Sequence, residues 1–270
     1  MTTRRPLLAL AATLFAGASA LSCFAMLDEK DKKPGFRDTP FLPGDKWRVH
    51  DADRPHPPVV TPGAKAGDAP SDAVVLFDGT DLSKWRGDHG DPAWDVVDGA
   101  IVVKGGSGSL TSREEFGDAQ IHLEWAAPNP PSGADQGRGN SGILIFGRYE
   151  IQILDNFDNP TYADGHAGAV YGQHPPLVNA VRPPGEWQSY DILFTAPRFK
   201  DDGTVETPAY VTVLVNGVVV QNHAEIIGSV AWRDLARYQK HGPKGPILLQ
   251  DHGNPVRFRN IWVRPIGQES

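Results

Sequence analysis

Hydrophobic and polar positions alternate along this chain in short bursts separated by turn residues. "AQIHLEWAA", Ala119 to Ala127, sets Ile121, Leu123 and Trp125 on one side and Gln120, His122 and Glu124 on the other, the period of a half-buried strand. "WDVVDGAIVV" and "AYVTVLVNGVVVQNHAEI" predict hairpins turning at Asp98-Gly99 and Asn216-Gly217. Such pairs suit a two-residue turn, which needs positive φ at both positions. Further strands are predicted in "AVVLFDG", "SGILIFGRYEIQILD", "EWQSYDILFTAP", "GPILLQDHG" and "PVRFRNIWVRPI". Ser229 to Gln239, "SVAWRDLARYQ", offers the one short helix, with a loop as its alternative. No βαβ rhythm and no repeat of fixed period occurs. The economical architecture is all-β, a two-sheet antiparallel jelly-roll sandwich.

One strand breaks its own pattern. In "RYEIQILDNFDN", Tyr149, Ile151 and Ile153 point one way and Glu150 and Gln152 the other, yet Asp155 falls on the side of the isoleucines. A carboxylate facing an apolar core is costly unless paired. Either the strand ends at Leu154, or a bulge between Gln152 and Asp155 turns the aspartate to the side of Glu150. The bulge is the expectation adopted. Trp85, Trp94 and Trp262 lie at core parity. Arg257 and Arg259 alternate with Val256 and Phe258, as on a solvated or ion-paired strand face.

Composition supports the strand reading: 29 glycines and 24 prolines fall between the apolar bursts, as in a turn-rich all-β protein. A single cysteine allows no internal disulfide, so the core must hold the fold. The net charge of −7, with no basic run, argues against nucleic acid or an anionic membrane as partner. The opening "MTTRRPLLALAATLFAGASALSCFAM" has two arginines, an apolar run from Leu7 to Leu21 and an A-x-A site ending at Ala20. That is the layout of a secretory signal and is short for a membrane span. The expected organisation is an export signal over 1–20, a Pro-rich extension over 27–70 with an ordered middle, and the sandwich over 73–266. A lipoprotein signal ending at residue 22, with a lipid anchor on Cys23, is the alternative. The protein is thus expected in the periplasm or outside the cell, or as an outer-membrane lipoprotein.

For chemistry, HExxH, CxxC, GxSxG and Walker motifs are all absent. "DNFDNPTYADG" lacks the D-x-D-x-D-G order of a calcium loop. What remains is a set of polar residues on strand faces: Glu150 with Gln152, Glu124 with His122, and Gln250, Asp251 and His252 at the end of "ILLQDHG". Singly, each reads as a solvent-facing strand residue. Beside Trp125, Tyr149, Tyr171 and Trp187 they suggest a sugar-binding face, where amides and acids pair hydroxyls and rings stack on C–H surfaces. In "GRGNSG", Gly139 and Gly142 permit close backbone approach, and Asn140 could turn its amide into a cleft; an ordinary loop would look the same.

"LFDGTDLSKW", "GNSGILIFGRYEIQILD", "GAVYG", "PPGEWQSYDILFTAPRF", "VTVLVNGVVVQNH" and "GPILLQDHGNPVRFRNIWVRP" together resemble the 3-keto-disaccharide hydrolase family of exported bacterial proteins. The resemblance runs in order from about Val74 to Pro265 and implies a concanavalin A-like jelly roll of the lectin and glucanase type. It also implies a sugar substrate whose C3 hydroxyl is already a ketone. A C3 carbonyl acidifies the C2 proton, so a tuned base can remove it, the C1 substituent leaves, and water adds back. His252 or Glu150 is the candidate base. The electrophile would be Gln152, Asn140 or a bound divalent metal ion; no other cofactor is implied. Glu124, Trp125, Arg148, Tyr171 and Gln250 are expected to hold the sugar. The E-x-Q-x-x-D strand is similar to the E-x-D-x-x-E strand of jelly-roll glycosidases, which makes Asp155 a third catalytic candidate. Its amide and its shorter outer acid depart from the paired-carboxylate pattern and argue against ordinary retaining hydrolysis. The alternatives are a non-catalytic carbohydrate-binding module and an ordinary glycoside hydrolase using Glu150 and Asp155.

Overall fold

The structure is a computed structural model and describes residues 33–267. The expected export signal and Cys23 lie outside the described residues. The chain divides after Pro58 into two units. In the first, Phe36 bridges Asp51 and Phe41 bridges Arg48. Its Arg37 makes a two-point pair with Asp53 at 2.9 Å, and the Arg48 guanidinium lies 3.9 Å from the centre of the Phe41 ring.

The second unit begins at Val59 and holds all the strands. They are β1 (Val74–Phe77), β2 (Trp85–Gly87), β3 (Asp95–Val97), β4 (Ala100–Val102) and β5 (Leu110–Phe116). There follow β6 (Ala119–Ala126), β7 (Ser141–Ile145), β8 (Tyr149–Ile153), β9 (Gln188–Thr195) and β10 (Arg198–Phe199). The last are β11 (Val205–Thr207), β12 (Ala209–Val215), β13 (Val218–Ile226), β14 (Gly245–Leu249) and β15 (Arg257–Pro265). One sheet of eight strands runs β13-β12-β9-β6-β15-β4-β3, with β1 also on β15; β10 and β11 pair by themselves, and the sheet opposite the first, of five strands, runs β2-β5-β14-β7-β8. All are antiparallel. This is the expected jelly-roll sandwich. The two predicted hairpins turn where expected, with φ of 50° and 72° at Asp98-Gly99 and 53° and 79° at Asn216-Gly217.

The core is the space between the sheets. Ile121, Leu123 and Trp125 of β6 and Tyr190, Ile192 and Phe194 of β9 belong to the same buried cluster as Ile143, Tyr149, Ile151 and Ile153 of the smaller sheet. The Trp125 and Tyr190 rings meet edge to face, 5.6 Å between centroids. Each large side chain so buried contributes about 1.5–3 kcal/mol. The alternate residues of every strand therefore point outward from one sheet or the other.

The bulge expected in β8 is absent and the strand ends instead, while register shifts occur in other pairs, β15 with β6 among them. The β7–β8 register is unbroken from Ser141–Ile153 to Ile145–Tyr149, and β8 stops at Ile153. In β15 the register against β6 shifts between Arg259 and Trp262, and Asn260 has φ 48°. The extra residue keeps Phe258, Ile261 and Val263 in the core and turns Trp262 outward. Trp262, placed with the core by parity, instead stacks on His122 with 5.2 Å between centroids and donates to the Gly67 carbonyl at 2.9 Å. Trp85 and Trp94 are in the core as expected. Ser229–Gln239 is a loop, not a helix, closed by a bridge between Ser229 and Arg237 and containing Arg233 at φ 58°.

β8 is an edge strand, and its free side is covered. Gln152 N–H donates to the Ala169 carbonyl at 3.0 Å, and the Gln152 carbonyl accepts from Gly168 at 2.9 Å. Tyr171 N–H donates to the Glu150 carbonyl at 3.1 Å. From the opposite sheet, Tyr190 Oη donates to the Gln152 carbonyl at 2.7 Å, entirely within the core. An exposed edge invites pairing with another chain; here residues 168–171 occupy it and fix the strand. Tyr190→Phe removes only the bond across the sandwich, because Gly168 still serves the carbonyl. It is expected to lower stability by about 1 kcal/mol, read as a lower urea midpoint with an unchanged slope. An unchanged midpoint would show that this tie contributes nothing net.

Candidate active site

The outward face of β8 and the end of β14 line a cleft of about 590 Å³, within the usual range for a small-molecule site. Glu150 and Gln152 project into it from β8 because Tyr149, Ile151 and Ile153 take the core side. Gln250 and His252 enter from the segment after β14, which is tied to β7 by Gln250 N–H to the Gly142 carbonyl at 2.9 Å and Ser141 Oγ to the Gln250 carbonyl at 2.7 Å. Asn140, just before β7, is fixed by its N–H to Asn254 Oδ1 at 2.7 Å and its amide nitrogen to the Gln136 carbonyl at 2.7 Å. Tyr171 closes one side.

Glu150 is the electrostatic centre of this cleft. It is 5% exposed, and its carboxylate has no hydrogen-bond or ion-pair partner among the described residues. Burial alone raises its pKa from 4.5 to about 7. Space for the carboxylate comes from Gly142 on the neighbouring strand, where a Cβ would fall on Glu150 Oε1. Gly139 serves the loop differently: at φ 59° its missing Cβ would lie 2.8 Å from Asp155 Cβ.

Around the carboxylate the amides divide into committed and free groups. Gln152 Nε2 donates to Gln136 Oε1 at 2.9 Å, while Gln152 Oε1 accepts from Ile153 N–H at 3.0 Å. Gln136 is held in turn by Thr161 Oγ1 at 2.8 Å and the Gly165 carbonyl at 3.0 Å. By contrast, Asn140 Oδ1 and Gln250 Oε1 are buried and have no hydrogen-bond donor among the described residues. Buried acceptors left open are costly, and such groups mark places where a ligand donor fits. Tyr162 and Tyr171 share a hydrogen bond between hydroxyls at 2.6 Å; burial, and then this bond, raise the Tyr162 pKa. Two hydroxyls sharing one bond leave one O–H for a further acceptor.

Several expected site residues lie elsewhere. Asp155 follows the end of β8, and its carboxylate is taken by Arg138 in a two-point pair at 2.7 and 3.1 Å. It also accepts from Phe157 N–H and is 3% exposed, so its charge serves the loop and not the cleft. Glu124 lies on the outer face of the larger sheet, bonded by Arg259 at 2.6 Å and Asn260 at 3.1 Å. Trp125 is in the core at 1% exposure. Arg148 reaches Gln239 at 3.4 Å and does not line the cleft. Trp187 lies under Arg259, 4.0 Å from ring centre to guanidinium, also away from the cleft.

Glu150, Gln152, Asn140, Tyr171, Gln250 and His252 are thus brought together, while Gln136, Gly137, Tyr162, Val230 and Trp232 join them without having been expected. Trp232 had a legible signal: a large aromatic in a segment too short and too polar to place it in a two-sheet core. Among the described residues no three His, Cys, Asp or Glu side chains gather as a metal-ligand set.

A family model described as the 3-keto-alpha-glucoside-1,2-lyase-like domain matches residues 72–264. A 3-keto-disaccharide hydrolase of Bacteroides thetaiotaomicron is 23% identical over 232 residues, spanning 71% of this chain and 77% of the relative. A solved structure from Parabacteroides distasonis, described as a "putative glycosyl hydrolase", is 48% identical with a TM-score of 0.77 and covers 83% of this chain and 99% of its own. A second solved structure from that organism, with the same description, is 23% identical with a TM-score of 0.52, covers 73% of this chain and 94% of its own, and shows the fold alone.

The buried carboxylate makes stability depend on pH in a defined direction. Its pKa is higher folded than unfolded, so the folded state binds more protons between 4.5 and about 7, and stability falls as pH rises through that window. Glu150→Gln removes the penalty. At pH 8 the variant is expected to be more stable than wild type by up to about 3 kcal/mol, and at pH 4 equally stable, by denaturant titration. Equal stability at both values would mean that the carboxylate is well solvated. In Gly142→Ala the new methyl displaces the carboxylate toward water, so its pKa, followed by carbon NMR of labelled glutamate, is expected to move down from about 7.

Proposed function

The chain belongs to the 3-keto-alpha-glucoside-1,2-lyase-like domain family, and on that premise we propose that it is an exported enzyme cleaving 3-keto-glycosides by elimination and hydration. The observation that carries this reading is Glu150, a buried carboxylate without a partner among the described residues, raised to about 7 in a cleft whose lining also holds four side-chain amides, two tyrosines, Trp232 and His252. A base with a pKa near the working pH is half ionised there and strong enough to take a carbon acid's proton once a carbonyl stands beside it.

In this reading Glu150 takes the C2 proton, the electrons move to the C3 oxygen as an enolate, and the C1–O bond breaks with the departing oxygen taking a proton. Water then adds across the resulting double bond, so the sum is hydrolysis. The open acceptors Asn140 Oδ1 and Gln250 Oε1 accept hydrogen bonds donated by hydroxyls of the sugar. The uncommitted O–H of the Tyr162–Tyr171 pair and the Gln250 amide are the donors available to the enolate. In this reading the departing oxygen draws its proton from water, and His252, the other candidate base expected from the sequence, lies exposed in the lining of the same cleft. Gln152 has a different role from the electrophile expected of it: its amide is committed to Gln136 and to its own strand, so it orients the wall. The paired-acid reading loses its second acid with Asp155 bound to Arg138. A purely binding module would gain nothing from an ionisable group held at such cost.

Leaving-group release from a 3-keto-glucoside and from its unoxidised parent, with and without EDTA, tests the proposal. Wild type is expected to turn over only the keto compound, and Glu150→Gln to lose about 10³ in kcat, the usual worth of a general base. Because the base must be ionised, kcat/KM should rise with pH and level off above about 7. The EDTA arm reports whether a divalent ion takes part. Cleavage of the unoxidised parent, or full activity in Glu150→Gln, would sink this reading.

A further inference from the structure

The cleft does not end at the carboxylate. Beyond Tyr162, Tyr171 and Trp232 it continues into a second chamber of about 610 Å³, and these three side chains line both. The lining of the two chambers differs in kind. The first has four side-chain amides around Glu150; the second has none, and its body is made by the three aromatic rings, Ala231 and Leu235, with Asp164, Arg233 and Asp234 also in its lining.

Several observations set this chamber apart from ordinary surface. Trp232 is 72% exposed and Leu235 74%, on a loop whose other end is fixed. Val230 N–H donates to the Arg148 carbonyl at 2.7 Å, and the Gly228 carbonyl accepts from Gln173 Nε2 at 3.0 Å. Neither Trp232 nor Leu235 belongs to the buried core, so their large apolar surfaces do nothing for folding. Tyr162 and Tyr171 meet edge to face, with 6.2 Å between centroids and their hydroxyls bonded, which holds the wall between the chambers rigid. The Arg233 guanidinium lies 5.4 Å from the Trp232 ring centre, leaving the indole's other face for a guest. An exposed apolar patch that adjoins a polar cleft marks a binding surface.

We infer that this chamber is the subsite for the leaving group, and that it takes a planar aromatic ring, so that the preferred substrates of the proposed reaction are aryl 3-keto-glycosides. A second sugar would present hydroxyls along its edge, and the four amides that serve such groups in the first chamber have only Asp164, Arg233 and Asp234 as counterparts in the second. A flat arene needs only ring faces and an aliphatic side, which Trp232, Tyr171 and Leu235 supply. The inference rests on the proposed reaction for its first chamber, and the shared wall makes the two guests parts of one molecule.

Trp232→Ala, Leu235→Ala and the conservative Trp232→Phe are compared with wild type on three 3-keto-glucosides whose leaving groups are 4-nitrophenol, methanol and a second glucose. Binding of free 4-nitrophenol is measured by calorimetry in parallel. Trp232→Ala is expected to lower kcat/KM for the nitrophenyl compound about tenfold, the loss of one ring contact, and Leu235→Ala, at a residue that lines only the second chamber, to lower it less while leaving the methyl compound within about twofold. Trp232→Phe should restore most of the loss, and Trp232→Ala should abolish nitrophenol binding. Unchanged nitrophenyl turnover in both alanine variants overturns the subsite, while methyl-glycoside turnover leaves the reaction itself standing. An equal loss on the disaccharide overturns the arene assignment in favour of a sugar. If no 3-keto compound is turned over, the reaction fails, and nitrophenol binding decides the subsite separately: absence of binding overturns it.

Discussion

The alternation of side chains along Tyr149–Ile153 is the constraint from which the cleft follows. Three of the five residues of β8 are committed to the space between the sheets, so Glu150 and Gln152 must face the other way. That assignment holds only while the strand is kept in register. β7 pairs it on one side, residues 168–171 occupy the other, and Tyr190 fastens it from across the core. A one-residue slip would bury the carboxylate between the sheets and expose the isoleucines, which the core forbids.

Because the backbone under Glu150 is fixed, the environment of its carboxylate is fixed too. The raised pKa comes from desolvation, not from a neighbouring charge, which separates this site from the two-acid arrangements of ordinary glycosidases. The nearest acid in sequence that might have served as a partner, Asp155, is neutralised by Arg138 one loop away. The buried carboxylate therefore stands among four side-chain amides without a paired charge, a setting suited to a single general base.

The same strand logic operates in the larger sheet with a different outcome. The bulge at Asn260 reverses parity within β15, and Trp262 leaves the core to cover His122, whose Nδ1 is 2.7 Å from Asp191. Glu124 and Arg259 pair on that face as well. These polar groups look like site residues when read along the strand. They stabilise an outer surface partly covered by the stretch around Gly67, whose carbonyl accepts from both Asn260 and Trp262.

The sequence alone determined most of the strands, though not β2, β5, β10 or β11, together with the two hairpin turns and the side of β8 on which Glu150 and Gln152 stand, because period-two alternation and Asn-Gly or Asp-Gly turns are local properties of the backbone. It could also show that Gly142 would allow something to come close, but not that the visitor is Glu150's own carboxylate. Only the tertiary structure decided which polar faces share a cleft: Glu124 and Glu150 have the same signature along their strands but sit on opposite sheets of the sandwich. It alone located the bulge, which depends on pairing between β6 and β15, and gave Asp155 its arginine from a preceding loop. It alone brought Tyr162, Tyr171 and Trp232 to one wall, since residues on separate loops are joined by the packing of the sheets beneath them and not by any spacing along the chain.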